Sequence, residues 1–314
     1  MGMNMGDYCI NCKSNQIVRM FDNLDIIGKK RFTYFKCNKC RIIFINPFPS
    51  RNRLKEIYSF KTNLLEKNTN PPLFLFYENP LLRPIFNNFG KLVNKERGNF
   101  VDKNINIRST SKTILEIGCG AGRFLLEMKK RGWNIIGQDI SDKCINEAKN
   151  ILGNAELLIG IDIKEYKIFH QTSIIAMWHV FEHMVDFKSV MRHIRNNTLK
   201  GVYLIIESPS SSALSLKLFG KYSPLLITPE HITFWSKEGF KEILEDNNYN
   251  VINVSYPKTF LFTTTSAAFN YFKNKYRSRF IAFILIPFVF FISCIIYIFI
   301  PKYNESIRVL AIKK

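Results

Sequence analysis

Residues 114–122, Ile-Leu-Glu-Ile-Gly-Cys-Gly-Ala-Gly, run from an apolar, strand-forming stretch into a glycine loop and on into a helix-forming segment from about Arg123 to Arg131. Few folds accept such a run. Gly118, Gly120 and Gly122 leave out Cβ atoms where the backbone must turn tightly and approach a ligand, and the following helix offers free N–H groups at its start. This is a nucleotide-binding turn, and it calls for a parallel α/β sheet. The glycine spacing is G-x-G-x-G, one residue short of the dinucleotide pattern G-x-G-x-x-G, with Glu116 two residues before the first glycine. A second strand, Trp133 to Gln138, ends at Asp139, where a carboxylate can bind two ribose hydroxyls.

From Thr113 onward, apolar runs of strand length alternate with helical stretches. The pattern predicts strands at 113–117, 134–139, 155–161, 173–180, 201–208, 250–256 and 306–313, with helices near 121–131, 141–152, 186–198 and 236–247. Open sheets of this kind bind ligands at the carboxyl ends of their strands. The fourth strand is followed there by Met177-Trp-His-Val-Phe-Glu-His-Met184. His179, Glu182 and His183 also match the zinc-protease pattern H-x-x-E-H, but that reading needs the motif inside a helix with a third ligand downstream. His231, His183 and His179 are the histidines placed at the sheet's carboxyl edge, so they are the candidate bases; His170 and His193 fall on helix or loop surfaces.

Upstream, Cys9-x-x-Cys12 and Cys37-x-x-Cys40 stand 24 residues apart, while Cys119, Cys144 and Cys294 are solitary. Four thiolates at this spacing suit one tetrahedral Zn²⁺ in a closed, structural site; a rubredoxin-like iron or disulfides are the alternatives. The ribbon ends near residue 50, and a polar helical stretch from about Asn52 to Asn68 follows. The aromatic run 71–89 and a polar linker at 94–112 complete a connector. Domain limits are therefore 1–50, 51–112, 113–258 with 303–314, and 259–302.

The net charge of +20 is unevenly spread: +11 over residues 1–110, +2 over 111–258 and +7 over 259–314. A nearly neutral catalytic domain with basic flanks argues against a nucleic-acid groove and for an anionic membrane surface or a phosphate-bearing substrate. The segment Phe280–Ile300 has 21 residues without a charge, flanked by Lys273, Lys275, Arg277, Arg279 and Lys302. It is long enough to cross a bilayer. If 306–313 completes the sheet beside 250–256, however, both must lie on one side, and the segment becomes a re-entrant or interface-lying element bent at Pro287. Absence of a cleavable N-terminal signal points to the cytoplasmic side of the membrane.

Several motifs recur here in the order of a known family: the cysteine ribbon, the glycine run, His179-Val-Phe-Glu-His183, Gly201-Val-Tyr-Leu-Ile-Ile-Glu-Ser-Pro209 and Pro229-Glu-His-Ile-Thr-Phe-Trp-Ser236. The chain resembles the ribbon-bearing class I S-adenosylmethionine-dependent methyltransferases of bacterial type associated with surface-glycan and lipid-linked sugar synthesis. Its central domain is similar to ubiquinone-type O-methyltransferases. The resemblance implies a Rossmann-like seven-stranded α/β sheet with an N-terminal zinc ribbon and an apolar, membrane-associated insertion before the last strand. It also implies S-adenosylmethionine at Glu116, Gly118, Cys119, Gly120, Gly122, Asp139 and His179, with Asp162 near the adenine, and structural zinc on Cys9, Cys12, Cys37 and Cys40. One departure is Ser173, where the family places an aspartate. The expected reaction is O-methylation of a sugar or lipid-linked glycan at the membrane. The alternatives are C-methylation of a nucleotide-linked keto sugar, or a membrane-attached scaffold that has lost its acceptor pocket.

Overall fold

The structure is a computed structural model that describes residues 8–25, 27–50, 52–54, 56–57, 83–107, 112–153, 157–166, 172–258 and 263–314. The ribbon comprises β1 (Ile17–Leu24), β2 (Arg31–Cys37) and β3 (Ile43–Asn46) in antiparallel succession. α1 (Arg83–Asn104) then leads into the central domain. There, β4 (Thr113–Ile117), α2 (Arg123–Lys130), β5 (Asn134–Gln138), α3 (Asp142–Leu152) and β6 (Leu157–Ile159) form the first half. β7 (Ile174–Trp178), α4 (Phe187–Asn197) and β8 (Tyr203–Pro209) begin the second. They are followed by α5 (Leu214–Phe219), β9 (Thr233–Phe234), α6 (Lys237–Glu245) and β10 (Tyr249–Ser255). A helical pair, α7 (Thr263–Tyr276) and α8 (Arg279–Phe299), precedes β11 (Ser306–Lys313).

The seven-stranded sheet has the order β10-β11-β8-β7-β4-β5-β6. β4 pairs in parallel with both β5 and β7, so the strand order reverses at β4 and opens a crevice beyond its carboxyl end. β4 and β7 are buried along their whole length, as strands covered by helices on both faces must be. β11 slots antiparallel between β8 and β10, with Ser306 opposite Pro209 and Tyr249 opposite Lys313. The insertion 256–305 therefore leaves and re-enters the domain along one edge. Among the described residues no helix is long and apolar enough to cross a membrane.

Two expectations need correction. Residues 94–104, read from their polarity as linker, form the second half of α1. Two of their charges face the domain: Arg97 pairs with the buried Glu207, and the half-exposed Glu96 with Arg308. Nor is the ribbon separate. β3 pairs with β9, so the domain supplies the fourth strand of the ribbon sheet, and Cys9, Cys37, Cys40, Ile42 and Phe44 share one core with Leu115, Met177, Phe181, Trp235 and Phe240. The aromatic run at 71–82 and most of the helix expected at 52–68 lie outside the described residues, as does His170.

Candidate active site

The glycine loop fills the crevice at the end of β4. Gly118 adopts φ +69°, and a Cβ there would lie 2.4 Å from Val180 Cγ2, so the position excludes any side chain on conformational and packing grounds alike. Gly120, at φ +52°, faces open space instead. Its amide donates to Asp139 Oδ2 at 2.9 Å, and Ser141 N donates to Asp139 Oδ1 at 2.9 Å. Asp139 is thereby fixed beside the loop, with further acceptor capacity on each oxygen. Cys119 is buried and donates its backbone N–H to the Gln138 carbonyl at 2.9 Å. Beyond β6, Asp162 accepts from Lys164 N at 3.0 Å and caps the short turn there.

Glu116, in β4, is buried, and its Oε2 has no hydrogen-bond partner among the described residues. Burial, with the neighbouring Asp139 charge, holds its carboxyl well above the usual range, while Arg97 opposes that shift. An unpaired buried carboxyl beside an open glycine turn fits a polar, cationic ligand, and S-adenosylmethionine carries both an ammonium and a sulfonium.

Sequence reading did not anticipate the charged layer beneath α1. Arg97 stacks over Trp178 at 4.8 Å and donates to Glu207 Oε1 at 2.8 Å. Arg308 Nε donates to Glu207 Oε2 at 2.7 Å, and His179 Nε2 lies 3.1 Å from Glu207 Oε1. Glu207 is wholly buried; the charges of Arg97 and Arg308 and the bond to His179 overcome burial and hold it well below the usual carboxylate range. One signal in the sequence pointed here: Glu207 and Arg308 are charges inside otherwise apolar strands, which require partners.

The three candidate histidines have different fates. His179, at φ +57°, is clamped between Glu182 Oε1, 3.1 Å from Nδ1, and Glu207. Burial alone would lower its pKa, but the two carboxylates outweigh that effect and lift it to about 9. It enters neutral pH as an imidazolium, with both nitrogens donating, and has no lone pair to offer. His183 and His231 pack edge to face with ring centroids 4.8 Å apart. His183 Nδ1 donates to the Glu230 carbonyl at 3.0 Å, and His231 Nδ1 donates to the Leu225 carbonyl at 2.7 Å. A carbonyl only accepts, so each Nδ1 carries a proton, which leaves Nε2 as the acceptor nitrogen of the neutral ring. Burial, then the nearby His183, pushes His231 down to about 3. One ligating atom from each of Glu182, His183 and His231 lies within 4.8 Å of the others. Glu182 and His183 stand in a single turn at Phe181–His183 rather than in a helix, which removes the protease reading of H-x-x-E-H. His193, on α4, hydrogen-bonds the Tyr166 carbonyl at 2.8 Å, as befits a structural residue.

At the ribbon tip the sulfurs of Cys9 and Cys40 lie 3.5 Å apart, as do those of Cys12 and Cys37, and all four fall within 4.8 Å of one another. A tetrahedron of metal–sulfur bonds of about 2.3 Å has edges of about 3.8 Å. The thiols are unlinked and fit such a site.

A family profile described as a methyltransferase domain matches residues 91–254. The ubiquinone biosynthesis O-methyltransferase of Coxiella burnetii is 23% identical over 173 residues, covering 49% of this chain and 73% of that protein. Among solved structures, a SAM-dependent methyltransferase from Archaeoglobus fulgidus aligns with TM-score 0.47 and 18% identity over 77% of this chain and all of the other. The magnesium protoporphyrin IX methyltransferase from Synechocystis PCC 6803, with bound SAH, aligns with TM-score 0.47 and 14% identity over 76% and 91%. The profile spans just over half of the chain, beginning within α1 and ending within β10, and the chain belongs to the methyltransferase-domain family as a class I S-adenosylmethionine-dependent methyltransferase.

Proposed function

We propose that the enzyme methylates a hydroxyl oxygen of a sugar or lipid-linked glycan on the cytoplasmic face of a membrane. The observation that carries this reading is the His183–His231 pair, two buried or half-buried imidazoles whose Nδ1 protons are committed to backbone carbonyls. A hydroxyl is a poor nucleophile until its proton is drawn away, and a neutral Nε2 lone pair at the sheet edge supplies the acceptor. A proton on His231 would be opposed by burial and by His183. We therefore assign the base to His183, with His231 positioning it and the Glu182 carboxylate balancing the charge. As the oxygen forms its bond to the methyl carbon, the carbon–sulfur bond breaks, its electrons return to sulfur, and the hydroxyl proton passes to His183. His179 and Arg97 would hold positive charge toward the donor's α-carboxylate. The similarity to an O-methyltransferase of ubiquinone biosynthesis supports transfer to oxygen.

The same pair suits proton abstraction from carbon, so C-methylation of a nucleotide-linked keto sugar is the second reading. Incubating the enzyme with deuterated-methyl donor and glycolipid or nucleotide-sugar fractions, followed by mass spectrometry, decides between them. Label in an O-methyl ether that is lost in the His183→Asn variant is the expected result. Label on carbon reverses the preference, and no label in any fraction favours a scaffold without an acceptor pocket. We also propose one structural Zn²⁺ on Cys9, Cys12, Cys37 and Cys40, supported by the proximity of the four sulfurs; metal analysis of the purified chain should give one zinc per chain.

A further inference from the structure

The pair α7–α8 presents an apolar face that none of the described elements covers. Its base is fastened by a buried carboxylate: Glu305 Oε1 accepts from Tyr297 OH at 2.6 Å, Thr264 Oγ1 at 2.7 Å and Ser215 N at 3.0 Å, and Ser215 Oγ donates to Oε2 at 2.5 Å. α8 turns Ser293 and Tyr297 inward. Its opposite side exposes Phe280, Ile284, Phe288, Phe291, Ile295 and Ile298, spaced by three or four residues and each 41–74% exposed. That spacing is one continuous helical stripe of large apolar side chains. Monomeric proteins rarely present such a stripe to water.

The surroundings say what covers it. From residue 259 to 304 there is no Asp or Glu. Basic side chains flank both ends of the stripe and are interleaved with tyrosines. At the start of α8, Lys275 sits over the rings of Tyr271 and Tyr276, with Arg277 exposed beside them. At its end, Lys217 and Lys302 sit over Tyr303, and Lys217 donates to its hydroxyl at 2.7 Å. Tyrosine and lysine together mark the boundary between hydrocarbon and headgroups. A second copy on this face would bring rims of like charge together in an antiparallel or a parallel arrangement; an anionic leaflet complements them.

We propose that α8 lies flat in the headgroup boundary of an anionic lipid leaflet, its stripe among the acyl chains and its two basic ends at phosphate level. Tip-first insertion is disfavoured because the tip carries Lys273 and Lys275 in the last turn of α7 and Arg277 between the helices, and would take them into hydrocarbon. A crossing is excluded by β10 and β11, which pair with each other at the two ends of the insertion. The inference extends the lipid-linked reading of the acceptor and rests on it only for its purpose. Its test contains neither acceptor nor methyl donor, so the two fail separately.

Full-length protein is floated with vesicles of phosphatidylcholine alone or with added phosphatidylglycerol. Binding to the anionic vesicles at least tenfold stronger than to neutral ones, weakened by salt, is expected. The exposed-face variant Phe288→Ser/Phe291→Ser should lose most of it while keeping S-adenosylhomocysteine binding, which reports an intact fold. Single tryptophans at Ile284, Phe291 and Phe299, corrected for the native tryptophans, should be quenched equally by lipids brominated near the headgroup. Quenching that deepens from Phe299 toward Ile284 would overturn the flat geometry. A chain that ignores both vesicle types but forms a concentration-dependent dimer, abolished by the same double substitution, would overturn the lipid assignment.

Discussion

Removing the Asp139 side chain tests the donor site most directly, and the structure sets the scale. Both carboxylate oxygens already accept a backbone amide at 2.9 Å, one from Gly120 and one from Ser141, so the free enzyme holds the carboxylate where a ribose would meet it. Two hydroxyls bound to a charged acceptor contribute about 1.5 kcal/mol each at the low end of charge-assisted bonds. Asp139→Ala should therefore weaken S-adenosylhomocysteine binding by about 3 kcal/mol, or roughly 100-fold. Loss of the tether on Gly120 adds to that figure, since the loop must then be ordered by the ligand. Asp139→Asn keeps one acceptor oxygen but turns an amide N–H₂ toward a donor, and should fall between the two. Isothermal titration calorimetry measures each, and thermal unfolding of the ligand-free variants separates loss of binding from loss of fold. A variant Asp139→Ala that unfolds like the parent and binds the ligand equally well would refute the assignment of this crevice to the donor.

Three further outcomes are expected. Glu207→Gln leaves Arg308, 1% exposed, and His179 with weakened partners; breaking a buried pair typically costs about 3–5 kcal/mol, so Tm should fall on the order of 10 °C, measured by calorimetry. In the parent, the stability contributed by protonated His179 is complete below pH 6.5 and fades as pH rises through about 9; that slope should shrink in the variant. His231 has the opposite sign: its pKa is lowered to about 3, so between pH 6.5 and 3 the unfolded chain takes up a proton that the folded chain refuses. Stability should drop by about 2 kcal/mol from pH 6.5 to 5, and by less in His231→Asn, as read from urea unfolding at each pH. Cys37→Ser should abolish zinc binding and methyl transfer while S-adenosylhomocysteine affinity changes little, because the donor loop makes its contacts with β5 rather than with the ribbon.

The sheet was legible because each of its strands is a short apolar run closed by a turn, and the final strand Ser306–Lys313 appears where the alternation placed it. The glycine turn was legible for a local reason: three glycines at positive φ and an aspartate one strand later are dictated by backbone geometry within about 20 residues. What escaped was long-range pairing of charge. Glu96 and Arg97 look like any solvated polar stretch until Arg308 and Glu207, more than 100 residues away, are brought beneath them. Likewise the sequence ranked His231 and His183 ahead of His179 but could not choose between the first two, since which nitrogen is tethered depends on carbonyls of Leu225 and Glu230 that only the folded loop presents.

The ribbon's place in the sheet alters what its metal would do. Ile45 N donates to the Ile232 carbonyl at 3.0 Å, and Ile232 N donates to the Glu182 carbonyl at 2.8 Å, so a continuous backbone path runs from β3 through the residue next to His231 to the turn that bears Glu182 and His183. Ser236 Oγ donates to the Cys40 carbonyl at 2.5 Å, and Asn11 Nδ2 to the Gly239 carbonyl at 3.1 Å, which fastens both knuckles to the start of α6. A closed four-thiolate site has no open position for a reacting group. Its effect on the reaction would thus be exerted through β9, by fixing the separation of two imidazoles whose proton transfer tolerates little displacement. Loss of the metal should then lower turnover far more than donor affinity, and separate measurement of the two distinguishes an acceptor-site wall from an independent appendage, which would change neither.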